Sequence, residues 1–512
     1  MSASSKTVLD PVLINKIRLS KVYDVAERSA LQAAPTLSKR LGHHVWLKRE
    51  DQQSVFSFKL RGAYNRLAHA PREALINGVI CASAGNHAQG VALAARTLGC
   101  PATIVMPVTT PQIKIDAVRA LGAQIELAGD GFDEASEHAQ RITEERGLLF
   151  VHPFDDDLVI AGQGTVGREI MEQCEPAPDV VFIPVGGGGL AAGVAAYIKH
   201  VNPDTRVYGV EPADSPSMQA ALDAGAPVTL DRVGSFADGV AVRTVGGRTY
   251  QLCAQYLDGM IHVSTDQMCA AIKDIFNETR TITEAAGAIA VAGMKKYLAT
   301  TSDAQLHAVA IVSGANMNFD RLTHVSERAD IGEQREALLA VQIDEQRGSF
   351  LRFCRALGDR AVTEFNYRYA GTQRAQIFVG VRLSRGISEK QEILDALAIA
   401  GYRSLDLTDN DLAKNHVRHT VGGFRADIPD ERILRFEFPE RAGALAQFLN
   451  AVGEQWNISL FHYRNHGSDY GRVLCGIEVP QGDNEAFARH LEKLGYPFVD
   501  ESDNPARALF FG

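Results

Sequence analysis

Cysteine is scarce and unpatterned in this chain. Seven thiols are spread over 512 residues, with no C-x-x-C pair and no closely spaced, even-numbered set. That excludes a disulfide-stapled secreted scaffold and points to a reducing, cytoplasmic setting. Basic charge is short as well. Lys and Arg number 52 against 62 Asp and Glu, a formal charge of −10, which argues against nucleic acid as a partner. The first ten residues have neither the apolar core of a signal peptide nor the Arg-rich bias of a transit peptide, so no export is expected. One stretch, Val180 to Ile198, is uncharged over a membrane-spanning length, but Pro184 and four consecutive glycines divide it into a strand, a turn and a helix start. No membrane partner is expected.

What remains is ordinary globular composition, 46% hydrophobic and 22% charged, which excludes disorder. At about 150 residues per domain the length suggests three or four domains. Up to about residue 325, short β-branched runs alternate with Ala-rich helical stretches. Strands are predicted at 79–82, 102–106, 124–127, 148–151, 180–185, 206–210 and 308–312, and helices end at Gly99 and Gly122. Fully apolar strands separated by single helices imply an α/β body with mainly parallel sheets. Ligands in such bodies sit at the carboxyl ends of strands.

Beyond about Ala329 alanine thins out and a repeat appears. Glu345-Gln346-Arg347-Gly348-Ser349-Phe350 recurs as Glu440-Arg441-Ala442-Gly443-Ala444-Leu445, and Phe365-Asn366-Tyr367-Arg368 as Phe461-His462-Tyr463-Arg464, an offset of 95 to 96 residues. Each copy is predicted to be one small βαββαβ unit. The expected division is 1–328 for the body, in two α/β subdomains, then 336–410 and 431–504 for the repeats.

Four segments could carry chemistry. Ser57-Phe58-Lys59-Leu60-Arg61-Gly62-Ala63 sets a lysine among apolar neighbours, where desolvation would lower its pKa and favour an imine-forming amine. Ser83-Ala84-Gly85-Asn86-His87 follows a strand and opens a helix, a seat for a carboxylate as well as an ordinary N-cap. Gly186-Gly187-Gly188-Gly189-Leu190 also joins a strand to a helix, and its amides can converge on a phosphate. The same glycines fit a dinucleotide fingerprint, with Glu211 at the end of the next strand, although a nicotinamide enzyme would explain neither the lysine nor the asparagine loop. Ser313 ends an apolar strand, and its hydroxyl could bond a pyridine nitrogen without protonating it. Glu284 begins an Ala-rich helix, where the helix dipole alone is a sufficient explanation.

In order and spacing these motifs resemble the fold type II pyridoxal 5′-phosphate (PLP) enzymes, the tryptophan synthase β-like class, of the serine/threonine dehydratase group. With the paired repeats the chain is similar to the biosynthetic threonine ammonia-lyases, which carry two ACT-like regulatory domains of ferredoxin-like α+β fold. That resemblance implies PLP as cofactor and threonine, or serine, as substrate, with 2-oxobutanoate and ammonia as the products from threonine. It makes Lys59 the Schiff-base lysine and base. Phe58 packs on the ring, Asn86 bonds the ring oxygen, Gly186 to Leu190 hold the phosphate, and Ser313 meets the ring nitrogen. Ser83 to His87 would receive the substrate carboxylate, with Ser83 and Glu284 as further catalytic candidates. It further implies isoleucine and valine as effectors, with Phe350, Tyr367 and Tyr463 as contacts, and a homotetramer. Some relatives bind a divalent cation through a glutamate matching Glu211 and a later aspartate; Ser217 stands at the second position, so no metal is expected. The rival readings are a PLP-dependent β-replacement synthase, a serine racemase, and an amino-acid sensor without activity.

Overall fold

The structure, a computed structural model, describes residues 10–344, 349–358, 360–367, 374–419, 430–439, 456, 458–464 and 470–510. The chain divides into two compact units, Met1–Ala329 and Asp330–Gly512.

Among the described residues of the first unit ten strands form two sheets. Strands β3 (Val79–Ala82), β4 (Ala102–Met106), β5 (Gln124–Leu127) and β6 (Leu149–Phe150) make a parallel sheet ordered β5-β4-β3-β6. Strands β1 (Leu31–Ala33), β2 (His44–Arg49), β7 (Val180–Pro184), β8 (Arg206–Pro212), β9 (Gly259–Val263) and β10 (His307–Val312) make the other, ordered β1-β2-β10-β7-β8-β9. In it only β1 runs antiparallel to its neighbour. Residues of β7 and β10 alternate between two cores. Val180, Phe182, Ala308 and Ala310 face one, and Val181, Ile183, Val309 and Ile311 the other. Burial on both faces is why these strands are apolar throughout rather than alternating. The uncharged run from Val180 resolves into β7 and the buried helix Gly189–Val201. Among the described residues no helix is long and apolar enough to cross a membrane.

Strands β1, β2 and β9 were not expected from sequence, and β2 shows why. It carries Lys48 and Arg49, both fully buried. Lys48 Nζ lies 2.6 Å from Glu169 Oε2, and Arg49 Nη2 lies 2.7 Å from Asp51 Oδ2. Glu169 also holds Arg61 Nη1 at 2.6 Å, and Arg61 Nε reaches Glu50 Oε2 at 2.8 Å, with every one of these side chains out of solvent. Two cations and two carboxylates thus join β2, the helix Asp157–Gln173 and the helix Lys59–Ala68.

The second unit repeats one plan. Its first half runs β11 (Glu336–Asp344), helix Ser349–Leu357, β12 (Val362–Tyr367), β13 (Arg374–Arg382), helix Ile387–Ile399 and β14 (Arg403–Asp406). In the second half the described elements include β15 (Glu431–Pro439), β16 (Ile458–Arg464), β17 (Tyr470–Glu478), helix Asn484–Leu494 and β18 (Phe498–Asp500). The antiparallel sheets have matching orders, β12-β13-β11-β14 and β16-β17-β15-β18. Even an irregularity recurs, a register shift at Val362/Glu364 and at Ile458/Leu460. On β11, Leu339 and Val341 pack under Phe353 and Leu397 of their own copy, while Leu338 and Ala340 meet Ile433 and Leu474 of the other. Phe350, Tyr367 and Tyr463 lie in these elements, but their side chains fall outside the described residues, as does the turn at Arg441 to Gly443.

Removing Glu169 would strand Lys48 and leave Arg61 half-paired in a dry interior. E169L is expected to destabilise the first unit by about 3–5 kcal/mol, read as a lowered urea midpoint.

Candidate active site

Phe58 is the residue before the helix Lys59–Ala68, and Lys59 opens it. Two backbone hydrogen bonds sew this segment to the end of β10, Phe58 N to Ser313 O at 3.2 Å and Ala315 N to Phe56 O at 2.8 Å. Residues more than 250 apart in sequence are thereby neighbours. Lys59 is half-buried and lines the cleft. Burial of its amine pushes the pKa down to about 8, against the pull of the Glu284 carboxylate, which raises it. Lys59 Nζ donates to Pro153 O at 3.1 Å and lies 5.5 Å from the centre of the Phe58 ring.

The glycine tetrad forms the next wall. Gly188 has φ +92, a conformation that only glycine adopts without strain. A Cβ on Gly187 would fall 2.2 Å from the Phe154 ring. The carbonyls point elsewhere: Gly187 O accepts from Thr249 Oγ1 at 2.6 Å and Gly188 O from Cys253 Sγ at 3.8 Å. The loop therefore offers N–H groups, at the amino end of the helix Gly189–Val201, to whatever occupies the cleft.

Asn86, the first residue of the helix Asn86–Leu98, donates to Glu284 Oε1 at 2.6 Å and accepts from Asn316 Nδ2 at 2.6 Å. Burial, together with repulsion from Asp238, pushes the Glu284 carboxyl up to about 7, and the Asn86 bond opposes this. Asp238 faces two cations, Lys114 Nζ at 2.6 Å and Arg321 Nη1 at 3.4 Å. Against burial, they hold its carboxyl well below the usual range. Ser313 is buried at the carboxyl end of β10, and its hydroxyl is 3.3 Å from Ala286 O.

Phe58, Lys59, Asn86, Gly186 to Leu190, Glu284 and Ser313 thus surround one cleft of about 500 Å³, part of it open to solvent. Ser83, Ala84 and Gly85 form the turn leading to Asn86 and do not line it; Ser83 Oγ accepts from Gly85 N at 3.2 Å. His87 turns away, with Nε2 2.9 Å from Val151 O, and burial pushes its pKa down to about 3, so the ring is neutral. Glu211 spends its carboxylate on the amides of Met218 at 2.7 Å and Gln219 at 3.1 Å, at the start of the helix Ser217–Ala224. Sequence reasoning missed Pro153, Phe154, Gln163, Gly239 and Val240, which also line the cleft. Pro153 and Phe154 follow β6, so the strand-end rule would have found them.

Residues 22–314 match the family of pyridoxal-phosphate dependent enzymes, and residues 327–417 and 422–511 each match the C-terminal regulatory domain of threonine dehydratase. L-threonine dehydratase biosynthetic IlvA of Burkholderia multivorans is 55% identical, over 97% of this chain and 98% of its own length. The chain belongs to the biosynthetic threonine dehydratases. The Escherichia coli relative of the same name is 53% identical over 96% of this chain and 95% of its own. Among solved structures, the processed form of threonine deaminase isoform 2 from Solanum lycopersicum is 51% identical, with TM-score 0.62 over 64% of this chain and 90% of that one. Maize serine racemase matches at 29% identity, with TM-score 0.58 over 62% of this chain and 97% of that one. The fold is accordingly a fold type II PLP body followed by regulatory domains. The enzyme is a PLP-dependent threonine ammonia-lyase of isoleucine biosynthesis under allosteric control, and the synthase, racemase and sensor readings fall away. The site fits that cofactor: a desolvated amine for an aldehyde, a glycine cradle that a Cβ would fill, and a neutral hydroxyl at a strand end.

The amine itself can be titrated. Labelling of Lys59 in the cofactor-free protein by an amine-directed aldehyde, followed by mass spectrometry, should rise with pH about a midpoint near 8, below the ~10.4 of an ordinary lysine. E284Q removes a charge that favours the ammonium, so its midpoint should lie lower still.

Proposed function

We propose that the residues around this cleft divide the deamination of L-threonine as follows; the convergence of Lys59, Asn86, the glycine tetrad and Ser313 on one cavity carries the reading. PLP, when bound, supplies a reactive aldehyde and a sink for the electrons released at the substrate α-carbon. Lys59 would hold the cofactor covalently and, once freed by the substrate amine, would take the α-proton. An amine with a pKa near 8 can do this close to neutral pH. Gly186 to Leu190 hold the phosphate, Asn86 the ring oxygen, and Phe58 packs on the ring. Ser313 would give the ring nitrogen a neutral hydroxyl partner rather than a charged one. The turn Ser83 to His87, which meets the cleft at Asn86, would offer backbone N–H groups at the amino end of the helix Asn86–Leu98 to the substrate carboxylate. Glu284, with a carboxyl near pKa 7, holds or releases a proton beside Asn86.

Each regulatory copy is a candidate seat for a small aliphatic amino acid. Isoleucine as inhibitor and valine as its antagonist fit a branched-chain pathway, and Phe350, Tyr367 and Tyr463 are the proposed contacts. Such control requires two global states with different effector affinity, which a cytoplasmic homotetramer would supply.

K59A should lower 2-oxobutanoate formation from threonine by about 10³-fold or more and abolish the visible absorbance of the cofactor-loaded protein. Isoleucine should inhibit the wild type, and valine should relieve that inhibition. F350A, Y367A or Y463A should weaken inhibition while leaving uninhibited turnover in place; unchanged isoleucine sensitivity in all three would remove them from the effector site.

A further inference from the structure

Several buried polar side-chain atoms have no partner among the described residues, and of these only Gln163 Nε2 belongs to a residue lining the active-site cleft. Gln163 is 1% exposed. A buried amide donor left unpaired costs free energy, so an unpaired one beside a ligand cleft calls for a ligand.

Its other end is engaged. Gly62 N, in the first turn of the Lys59 helix, donates to Gln163 Oε1 at 3.2 Å. Only an oxygen can accept that bond, which fixes which end of the amide is Nε2. The amide rests directly on Gly62, where a Cβ would fall 2.4 Å from Nε2. The backbones come equally close, since a Cβ on Gly162 would lie 2.7 Å from Gly62 Cα. Gln163 is thus wedged between two helices at a glycine-on-glycine crossing. The same helix, Asp157–Gln173, packs on the one opened by the tetrad, where a Cβ on Gly193 would lie 2.3 Å from Ile160 O.

We propose that Gln163 is a cofactor-positioning residue, Oε1 holding the first turn of the Lys59 helix while Nε2 donates to the phosphate end of bound PLP. This rests on the assignment of the tetrad as the phosphate seat and Lys59 as the covalent anchor. One amide then fixes the anchor and the anion relative to each other.

Q163E separates the two ends. It keeps an oxygen for Gly62 N and replaces the donor by an anionic acceptor. Cofactor-free Q163E should melt no higher than the wild type, since a carboxylate at this buried position costs stability, and should bind PLP at least tenfold more weakly in an absorbance titration. Its capture of pyridoxal, which lacks the phosphate, should be unchanged. Q163N, which shortens the reach but keeps the chemistry, should show the same selectivity and serves if Q163E does not fold. Equal affinity for PLP, or equal losses for PLP and pyridoxal, overturns the proposal. Wild type and K59A are titrated alongside. If K59A captures PLP with the wild-type absorbance change, the Lys59 assignment fails, whatever Gln163 does.

Discussion

Two backbone hydrogen bonds, from Phe58 N to Ser313 O and from Ala315 N to Phe56 O, bring Lys59 and Ser313 to one cleft. Everything else in the cleft is arranged around that join. Ser57 and Gly314 pair as an isolated antiparallel bridge just beyond the carboxyl end of the interior strand β10. Gly314 O also accepts from Glu284 N at 3.3 Å, and a Cβ on Gly287 would lie 2.1 Å from the same oxygen. Three chain segments meet with no room for side chains. Because backbone fixes backbone, the main-chain positions from which Lys59, Ser313 and Glu284 reach into the cleft are set without side chains having to hold them.

The buried ion cluster supports the same join from behind. Arg61 lies two residues after Lys59, with both guanidinium edges paired to Glu50 and Glu169. Buried pairs of this kind add little net stability over an apolar core but are costly to break. What they supply here is fixed position: the first turn of the Lys59 helix cannot rotate without exposing an unpaired charge to a dry interior.

Legibility in the sequence followed burial and distance. Strands β3, β4, β7 and β10 stood out because both faces are covered, and the helix Asn86–Leu98 ends at Gly99, where φ is +71. Strand β2 did not, since Lys48 and Arg49 mimic a surface segment until Glu169 and Asp51 are seen beside them. The site followed the same rule. Lys59, Asn86, the tetrad and Ser313 sit where strands end or helices begin, and such positions show in one dimension. Gln163 sits mid-helix in Ile160-Ala161-Gly162-Gln163-Gly164-Thr165, an isolated amide among small and apolar residues. That oddity is visible, but its meaning depends on Gly62, about a hundred residues away. His87 shows the converse, a histidine in the right loop whose ring is turned to Val151.

The charges around Glu284 come from segments beside both sheets of the first unit. Lys114 belongs to the helix Gln112–Ala120 beside the four-stranded sheet, whereas Asp238 and Arg321 belong to segments beside the six-stranded one. Lys114 and Asp238 are therefore an ion pair between those segments, 2.6 Å long. Its members act on Glu284 with opposite signs, Asp238 raising its pKa and Lys114 and Arg321 lowering it. Separation of those segments would withdraw Lys114 but leave Asp238 and Arg321 in place. Repulsion at Glu284 would then be less offset, while new solvent would favour ionisation. Protonation beside Asn86 thus depends on the Lys114–Asp238 pair, because the Glu284 carboxyl and that ion pair share one electrostatic environment.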